Sequence, residues 1–280
     1  MILEEVYKPI ENQLLLVENK LKSTLNSYPC NDSVNEILNY FLKIRGKRLR
    51  PALTLLSAGL INDRLKKYKN DRLIHLSVAL EFIHSTSLIH DDIIDDDYLR
   101  RGQTTLNSAY GRKIAVLTGD ALYARAFSIL SAELPKEFGQ SIIKMTEGMC
   151  GAEIEQAKNS NITKDSYLAI IRGKTAELMS ICCRLGSLLA GATSKEAENL
   201  TAYGLNLGIA YQIADDILDD DIDSSLGIGL KDAESYAANA IKALNMFVDS
   251  SYKRSLIQFV GFILNYAQSN IKKFEGVREA

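Results

Sequence analysis

The chain has no tryptophan, only three histidines and only four prolines. None of the prolines (Pro9, Pro29, Pro51, Pro135) lies beyond Pro135. The second half can therefore run as nearly continuous helix, broken only by glycine and capping residues. Three histidines (His75, His84, His90) are too few for a histidine-rich metal centre. Of these, His75 is expected to be structural, and His90, beside Asp91, to support a ligand or to pack rather than ligate. The net charge is only -2, so no global basic field draws nucleic acid. The four cysteines are Cys30, Cys150, Cys182 and Cys183. The adjacent pair sits in an apolar helical run and reads as core, which fits a reducing cytosol. The N-terminus lacks an apolar signal core. The longest apolar stretch, residues 257–264, is interrupted by Gln258 and Gly261 and is too short to span a bilayer. No linker, low-complexity run or short repeat is visible, so residues 1–280 are expected to form one domain.

What is present is helix periodicity. Apolar residues make up 46% of the chain and charged residues 24%, an ordinary balance for a packed soluble fold. From Ser166 to Ala190, Tyr167, Ile170, Ile171, Leu178, Ile181, Cys182, Leu185, Leu188 and Leu189 recur at three- and four-residue steps. Gly191 is a stop signal, and Thr193-Ser194-Lys195-Glu196 starts the next helix with a capping box. Similar periods run through residues 33–43, 73–89, 115–132 and 141–157. No segment alternates convincingly with period two. The expected fold is all-α, a single-domain helical bundle around a deep central cavity.

Two acidic clusters stand out in this background. Asp91-Asp92-Ile93-Ile94-Asp95 continues into Asp96 and Asp97, and Asp215-Asp216-Ile217-Leu218-Asp219 continues into Asp220 and Asp221. Both read D-D-x-x-D. Four-residue spacing puts Asp91 with Asp95, and Asp215 with Asp219, on one helix face. At about 4 Å, two carboxylates repel by roughly 1 kcal/mol in water and about 4 kcal/mol at a partly buried site. An acidic run is ordinarily a solvated helix end. Here Leu88, Ile89, Ile93 and Ile94 surround the first one, and a cation that offsets the repulsion is the better reading. Hard oxygen ligands on helices suit Mg²⁺, which keeps waters and shares its other positions with phosphates. The two clusters suggest facing walls of one cavity.

The basic residues complement the acids. Arg100-Arg101-Gly102 follows the first cluster and offers cations to diphosphate oxygens. His84 lies two helical turns before Asp91 on nearly the same face. The run Arg45-Gly46-Lys47-Arg48-Leu49-Arg50-Pro51 would alone read as surface. Beside two Mg²⁺ sites it reads as a second anion site, with Lys47 and Arg50, three apart, gripping one phosphate. Gly173-Lys174-Thr175-Ala176 interrupts an apolar helix. Its lysine either snorkels or brings an ammonium to a reacting centre. Gln212 shares the face of Asp215 and Asp216.

In this order the motifs strongly resemble those of the trans (head-to-tail) isoprenyl diphosphate synthases. The matching stretches are residues 46–51, 81–92, 100–102, 119–120, 173–176 and 211–219, so the resemblance covers most of residues 40–230. It implies an all-α fold, a homodimer, Mg²⁺, and two substrates, isopentenyl diphosphate and an allylic diphosphate. It also implies roles for individual residues. Asp91, Asp95 and Asp215 look like Mg²⁺ ligands, with Asp92, Asp216 and Asp219 completing the acidic walls. Arg100, Lys174 and Gln212 look like contacts to the allylic diphosphate, and Thr175 would lie beside the forming cation. Lys47, Arg50, His84 and Arg101 look like the isopentenyl diphosphate site. Just before the first acidic motif, where bulky residues stop growth early in similar enzymes, stand small Thr86 and Ser87. A product longer than farnesyl diphosphate is expected, with Thr86→Phe shortening it.

The resemblance weakens after Asp219. The family continues with a Gly-Lys pair and a longer, lysine-bearing segment. Here Ile228 stands where a lysine is expected, and the next recognisable piece is residues 234–247. A class I terpene cyclase would lack the second D-D-x-x-D and the run 46–51. A His-Asp phosphohydrolase would need more histidines. A non-catalytic or regulatory subunit of a heteromeric prenyl synthase is the alternative that the altered tail favours. A cytoplasmic location with at most transient membrane contact is expected.

Overall fold

A computed structural model describes residues 3–25, 32–43, 46–63, 71–158, 162–219 and 221–278. Cys30, Arg45 and Asp220 lie outside the described residues. The chain is all-α. Its helices are α1 (Leu3–Tyr7), α2 (Glu11–Leu25), α3 (Asp32–Lys43), α4 (Leu49–Ile61), α5 (Asp71–Ile94), α6 (Leu106–Tyr110) and α7 (Arg112–Glu133). There follow α8 (Lys136–Lys158), α9 (Lys164–Ile171), α10 (Glu177–Leu189), α11 (Ser194–Leu218), α12 (Leu230–Ala243) and α13 (Ser251–Arg278). The described residues group into two compact units. One comprises Met1–Glu11, Leu53–Tyr68 and Ser141–Ala280; the other comprises Asn12–Ala52 and Lys69–Gln140.

In the second of these units, α5 is the core helix. Every residue from Leu76 to Ile83 is buried, so the helix is covered on all sides rather than along one stripe. Its main partner is α7. Close approach depends on Gly119: a Cβ there would stand 2.3 Å from His90 Nε2. The His90 ring also meets Tyr123 edge-on, so His90 packs, as expected. His75 Nδ1 lies 3.4 Å from Glu133 Oε2.

The other unit is built around α11, flanked by α10, α12 and α13. Its N-terminus is the expected capping box: Thr193 Oγ1 accepts from Glu196 N–H, and Glu196 Oε2 accepts from Thr193 N–H. Gly191 ends α10 at φ 91°, where only glycine is unstrained. The first apolar period does not form one uniform helix. Residues Arg172–Ala176 widen into a π-helical turn between α9 and α10. Such turns insert an extra residue and collect at functional sites. Gly208 lets α11 touch that turn, since a Cβ there would stand 2.5 Å from Ala176 Cα. Cys182 and Cys183 are fully buried free thiols, as core residues should be. Burial pushes the Cys183 thiol up to about 12.

A short ribbon accompanies the helices: β1 (Leu99–Arg100) pairs antiparallel with β2 (Gln103–Thr104). It is too short to show alternation, and its two-residue turn reads instead from Arg101 and Gly102, both at positive φ (54° and 75°). One expectation needs correction: the longest apolar segment is not residues 257–264. By length and composition α7 is apolar enough to cross a membrane, yet only 33% of its apolar window is buried. Its charges, among them Asp120 and Arg125, are spread singly, which hid the run from a reading of consecutive apolar residues.

Candidate active site

Both acidic clusters sit at the C-terminal ends of long helices, and the two ends are built alike. Helix α5 stops at Ile94 and α11 at Leu218, each one residue before the last aspartate of its motif. Asp95 N–H donates to the Asp91 carbonyl (2.9 Å) and Asp219 N–H to the Asp215 carbonyl (3.0 Å). The helical turn is thus kept, and each pair shares a face although Asp95 and Asp219 lie past the helices. Next, Asp97 N–H reaches the Asp92 carbonyl (3.0 Å) and Asp221 N–H the Asp216 carbonyl (2.9 Å). These six-to-one bonds are the signature of a left-handed helix stop. Asp96 takes the left-handed position itself, at φ 56°. The negative pole of a helix is the worst place for aspartates. The arrangement therefore calls for cations more strongly than spacing alone implied.

At the first cluster, Arg100 on β1 answers part of that call. Its Nε pairs with Asp92 Oδ1, and its Nη2 lies 3.7 Å from Asp97 Oδ2. Asn107 Nδ2 donates to the carbonyls of Asp92 (3.0 Å) and Asp97 (3.2 Å), which fixes the turn. Burial nevertheless raises the Asp92 carboxyl, against the pull of Arg100.

The basic run divides in two. Arg48, at φ 54°, turns inward and pairs with Glu18 (2.5 Å) and Glu81 (2.8 Å). Lys47 precedes α4 and is exposed, while Arg50 lies in its first turn and is buried. Lys47 lies before the helix, so helical spacing alone does not relate it to Arg50. Arg101 nevertheless comes to the run: a Cβ on Gly46 would stand 2.8 Å from its Nη1. His84 sits within electrostatic reach of Arg50, Arg101, Arg100 and Arg48. Burial first, and these cations next, hold its imidazole well below the usual range. A neutral histidine among four guanidinium groups is a neighbourhood suited to an anion. Of the two small residues, Thr86 is wholly buried, its hydroxyl donating to the carbonyls of Phe82 (3.0 Å) and Gly119 (3.2 Å). Ser87 is part-buried and bonds to the His84 carbonyl (2.9 Å).

At the second cluster, a chain of hydrogen bonds joins three elements. Thr175 Oγ1, in the π-helical turn, donates to Gln212 Oε1 (2.7 Å). Gln212 Nε2 donates to Asp216 Oδ1 (2.7 Å), and Tyr167 Oη on α9 donates to Asp216 Oδ2 (2.6 Å). Lys174 is held by Glu153 (2.6 Å) and Gln156 (2.9 Å) on α8. Burial raises the carboxyls of Asp216 and Asp219, and Asp221 adds to both. Sequence reasoning missed Tyr167, Glu153 and Gln156. In the sequence Tyr167 reads only as an apolar position in a helical period. Among the described residues, no three ligand-type side chains close into a metal cage. Carboxylate oxygens in an open arrangement fit Mg²⁺, which relies on water and substrate for its remaining ligands.

A sequence profile of the polyprenyl synthetase family matches residues 31–241. The chain belongs to this family. Its relatives include a heptaprenyl diphosphate synthase component 2 of Geobacillus stearothermophilus, 36% identical over 222 residues, or 78% of this chain and 67% of the relative. An octaprenyl diphosphate synthase of Escherichia coli is 34% identical over 193 residues, or 66% of this chain but only 57% of the relative. The chain thus spans well short of the full length of these curated relatives. In structure, it resembles the polyprenyl synthase of Caulobacter crescentus, solved with calcium and isoprenyl diphosphate. The TM-score is 0.85 at 25% identity, covering 94% of this chain and 97% of that one. The matched span 31–241 takes in both acidic clusters, the basic run, and the Gly173–Ala176 turn.

Proposed function

We propose that the protein is a Mg²⁺-dependent prenyltransferase that joins isopentenyl diphosphate head-to-tail to an allylic diphosphate, yielding a polyprenyl diphosphate. The observation that carries this reading is the pair of matched helix ends, each presenting D-D-x-x-D at a negative helix pole. The cluster around His84 adds the cations a second diphosphate needs. Both compact units are read as parts of one synthase domain, since one family profile runs through both.

Asp91, Asp95 and Asp215 would hold Mg²⁺, with Asp92, Asp216 and Asp219 completing the acidic walls. Bound there, the metal stabilises charge that grows on a departing diphosphate. The chain's own residues do the rest. Arg100, Lys174 and Gln212 position the allylic diphosphate. Lys47, Arg50, His84 and Arg101 hold isopentenyl diphosphate, with His84 neutral and donating rather than charged. Thr175, anchored to Gln212, lies beside the allylic carbon as its C–O bond ionises. The isopentenyl double bond then attacks that carbon, and a proton passes to the released diphosphate. Water has to be kept from the cation, which it would quench.

Small Thr86 and Ser87 support a product longer than farnesyl diphosphate. The exposed apolar face of α7 supports a homodimer. Free buried cysteines support a cytosolic setting, with at most passing contact between membranes and a greasy product. A second reading is favoured by the name that two relatives carry, heptaprenyl diphosphate synthase component 2: a subunit working beside a different chain. Incubation with Mg²⁺, isopentenyl diphosphate and farnesyl diphosphate separates the two. An elongated product from this chain alone supports the synthase; no product from several allylic primers supports the subunit.

A further inference from the structure

We infer that Tyr167 is a positioning residue for the second acidic cluster. It fixes the Asp216 carboxylate and thereby the geometry in which the neighbouring Asp215 receives a divalent cation. The inference rests on the metal-site reading above and adds a residue that the acidic motif does not contain.

The geometry is specific. Asp216 Oδ2 accepts from Tyr167 at 2.6 Å, while Oδ1 accepts from Gln212 at 2.7 Å. A carboxylate gripped on both oxygens cannot rotate. Gln212 lies one turn earlier on the same helix, so it only orients Asp216 relative to α11. Tyr167 comes from α9 and ties the carboxylate to a second element. Its ring is 8% exposed and shares an apolar cluster with Ile171, Ile209, Ile213, Ile228 and Ala233. Ile228 belongs to the connection that follows the acidic cluster. The cluster that holds this ring therefore joins α9, α11 and the segment leaving the site.

The alternative is that Tyr167 is only a core residue with a satisfied hydroxyl. Tyr167→Phe distinguishes the two, because it keeps the ring and removes the bond. Leu200→Ala, at a fully buried position near the start of α11, controls for loss of stability, and Asp215→Asn marks the metal site. Each protein is titrated with Mn²⁺ in the presence of inorganic diphosphate, with binding followed by electron paramagnetic resonance and stability by thermal melting. Loss of a partner behind a metal ligand typically costs about 10- to 100-fold in affinity. Tyr167→Phe is expected to show a loss of that size, confined to the class of sites removed by Asp215→Asn. Leu200→Ala is expected to melt lower and bind Mn²⁺ as the wild type does. If Tyr167→Phe binds Mn²⁺ like the wild type, or loses only what Leu200→Ala loses, the positioning role is wrong. If the wild type binds no Mn²⁺, or Asp215→Asn binds like the wild type, the metal-site reading itself fails, and this inference with it.

Discussion

Thr86 shows how a residue's role depends on which way it points. Read as a number of positions before the acidic motif, it is a small wall residue whose enlargement shortens the product. In the structure its hydroxyl is spent on two carbonyls, and no part of it is exposed. Phenylalanine there must push against α7, and overpacking of this kind costs about 1–3 kcal/mol. Thr86→Phe is therefore expected to melt lower, whatever it does to chain length. Ser87, part-buried and bonded only within its own helix turn, is the cleaner probe. Ser87→Phe should fold normally and shift the product, resolved by reverse-phase chromatography, to shorter chains. An unchanged distribution would remove Ser87 from the chain-length wall.

His84 carries a second prediction at this scale. Its pKa in the fold lies well below the 6.5 of an unperturbed imidazole. Below pH 6.5 the unfolded chain therefore binds a proton that the fold refuses. Stability falls as pH drops through that window, by at most about 1.4 kcal/mol per pH unit for one group. The buried carboxyls of Asp92 and Asp216 have raised values and act in the opposite sense, so the informative quantity is a difference. His84→Gln should lose less stability than the wild type between pH 6.5 and 5.5 in denaturant titrations. Equal slopes would mean that burial and the four arginines do not keep His84 neutral. The identities of these residues were legible in the sequence. Their partners were not, because Arg48 and Arg50 are distinguished only by a left-handed backbone turn that places one against Glu18 and Glu81.

At the scale of elements, the helices were legible because each has a three-to-four-residue apolar period and chemical ends. The capping box at Thr193 and the stop at Gly191 formed as read. The π-helical turn was not legible, since one extra residue in a helix barely disturbs the period. Its position is fixed by tertiary contact, with Gly208 of α11 against Ala176. Gly208→Ala is expected to destabilise the protein by about 1–3 kcal/mol and to lower kcat, because it displaces the turn that carries Lys174 and Thr175. A fall in melting temperature with kcat intact would separate the turn from catalysis. The helix ends yield a prediction of opposite sign. Asp96 occupies a left-handed position that costs most L-residues about 1–2 kcal/mol, less for aspartate. Its ion pair with Arg112 is exposed and worth little. Asp96→Gly should therefore stabilise the metal-free protein, by up to about 1 kcal/mol in calorimetry. If instead it melts lower, the Arg112 pair holds the turn.

For the molecule as a whole, the absence of a linker predicted one domain, and the boundaries between the two compact units could not have been seen. Three of the four fall inside α2, α4 and α8, where no change in composition marks them, and the fourth, between Tyr68 and Lys69, lies outside the described residues. The surface is more informative. Helix α7 is apolar enough for a membrane by length and composition, yet two thirds of its apolar window is not buried in this chain. Val116 is 41% exposed and Leu117 is 62% exposed on it. Apolar side chains at that density stay in water only at a cost of about 25 cal/mol per Å². A second copy of the chain covering this face removes that cost symmetrically, whereas a bilayer would have to accept Asp120 and Arg125 as well. Leu117→Glu tests the choice. Placed in an apolar interface, the new charge should convert a dimer into a monomer in light scattering behind size exclusion, while the melting curve of the monomer stays cooperative. A wild type that is already monomeric, or a Leu117→Glu variant that remains dimeric, would show that this face serves something other than self-association.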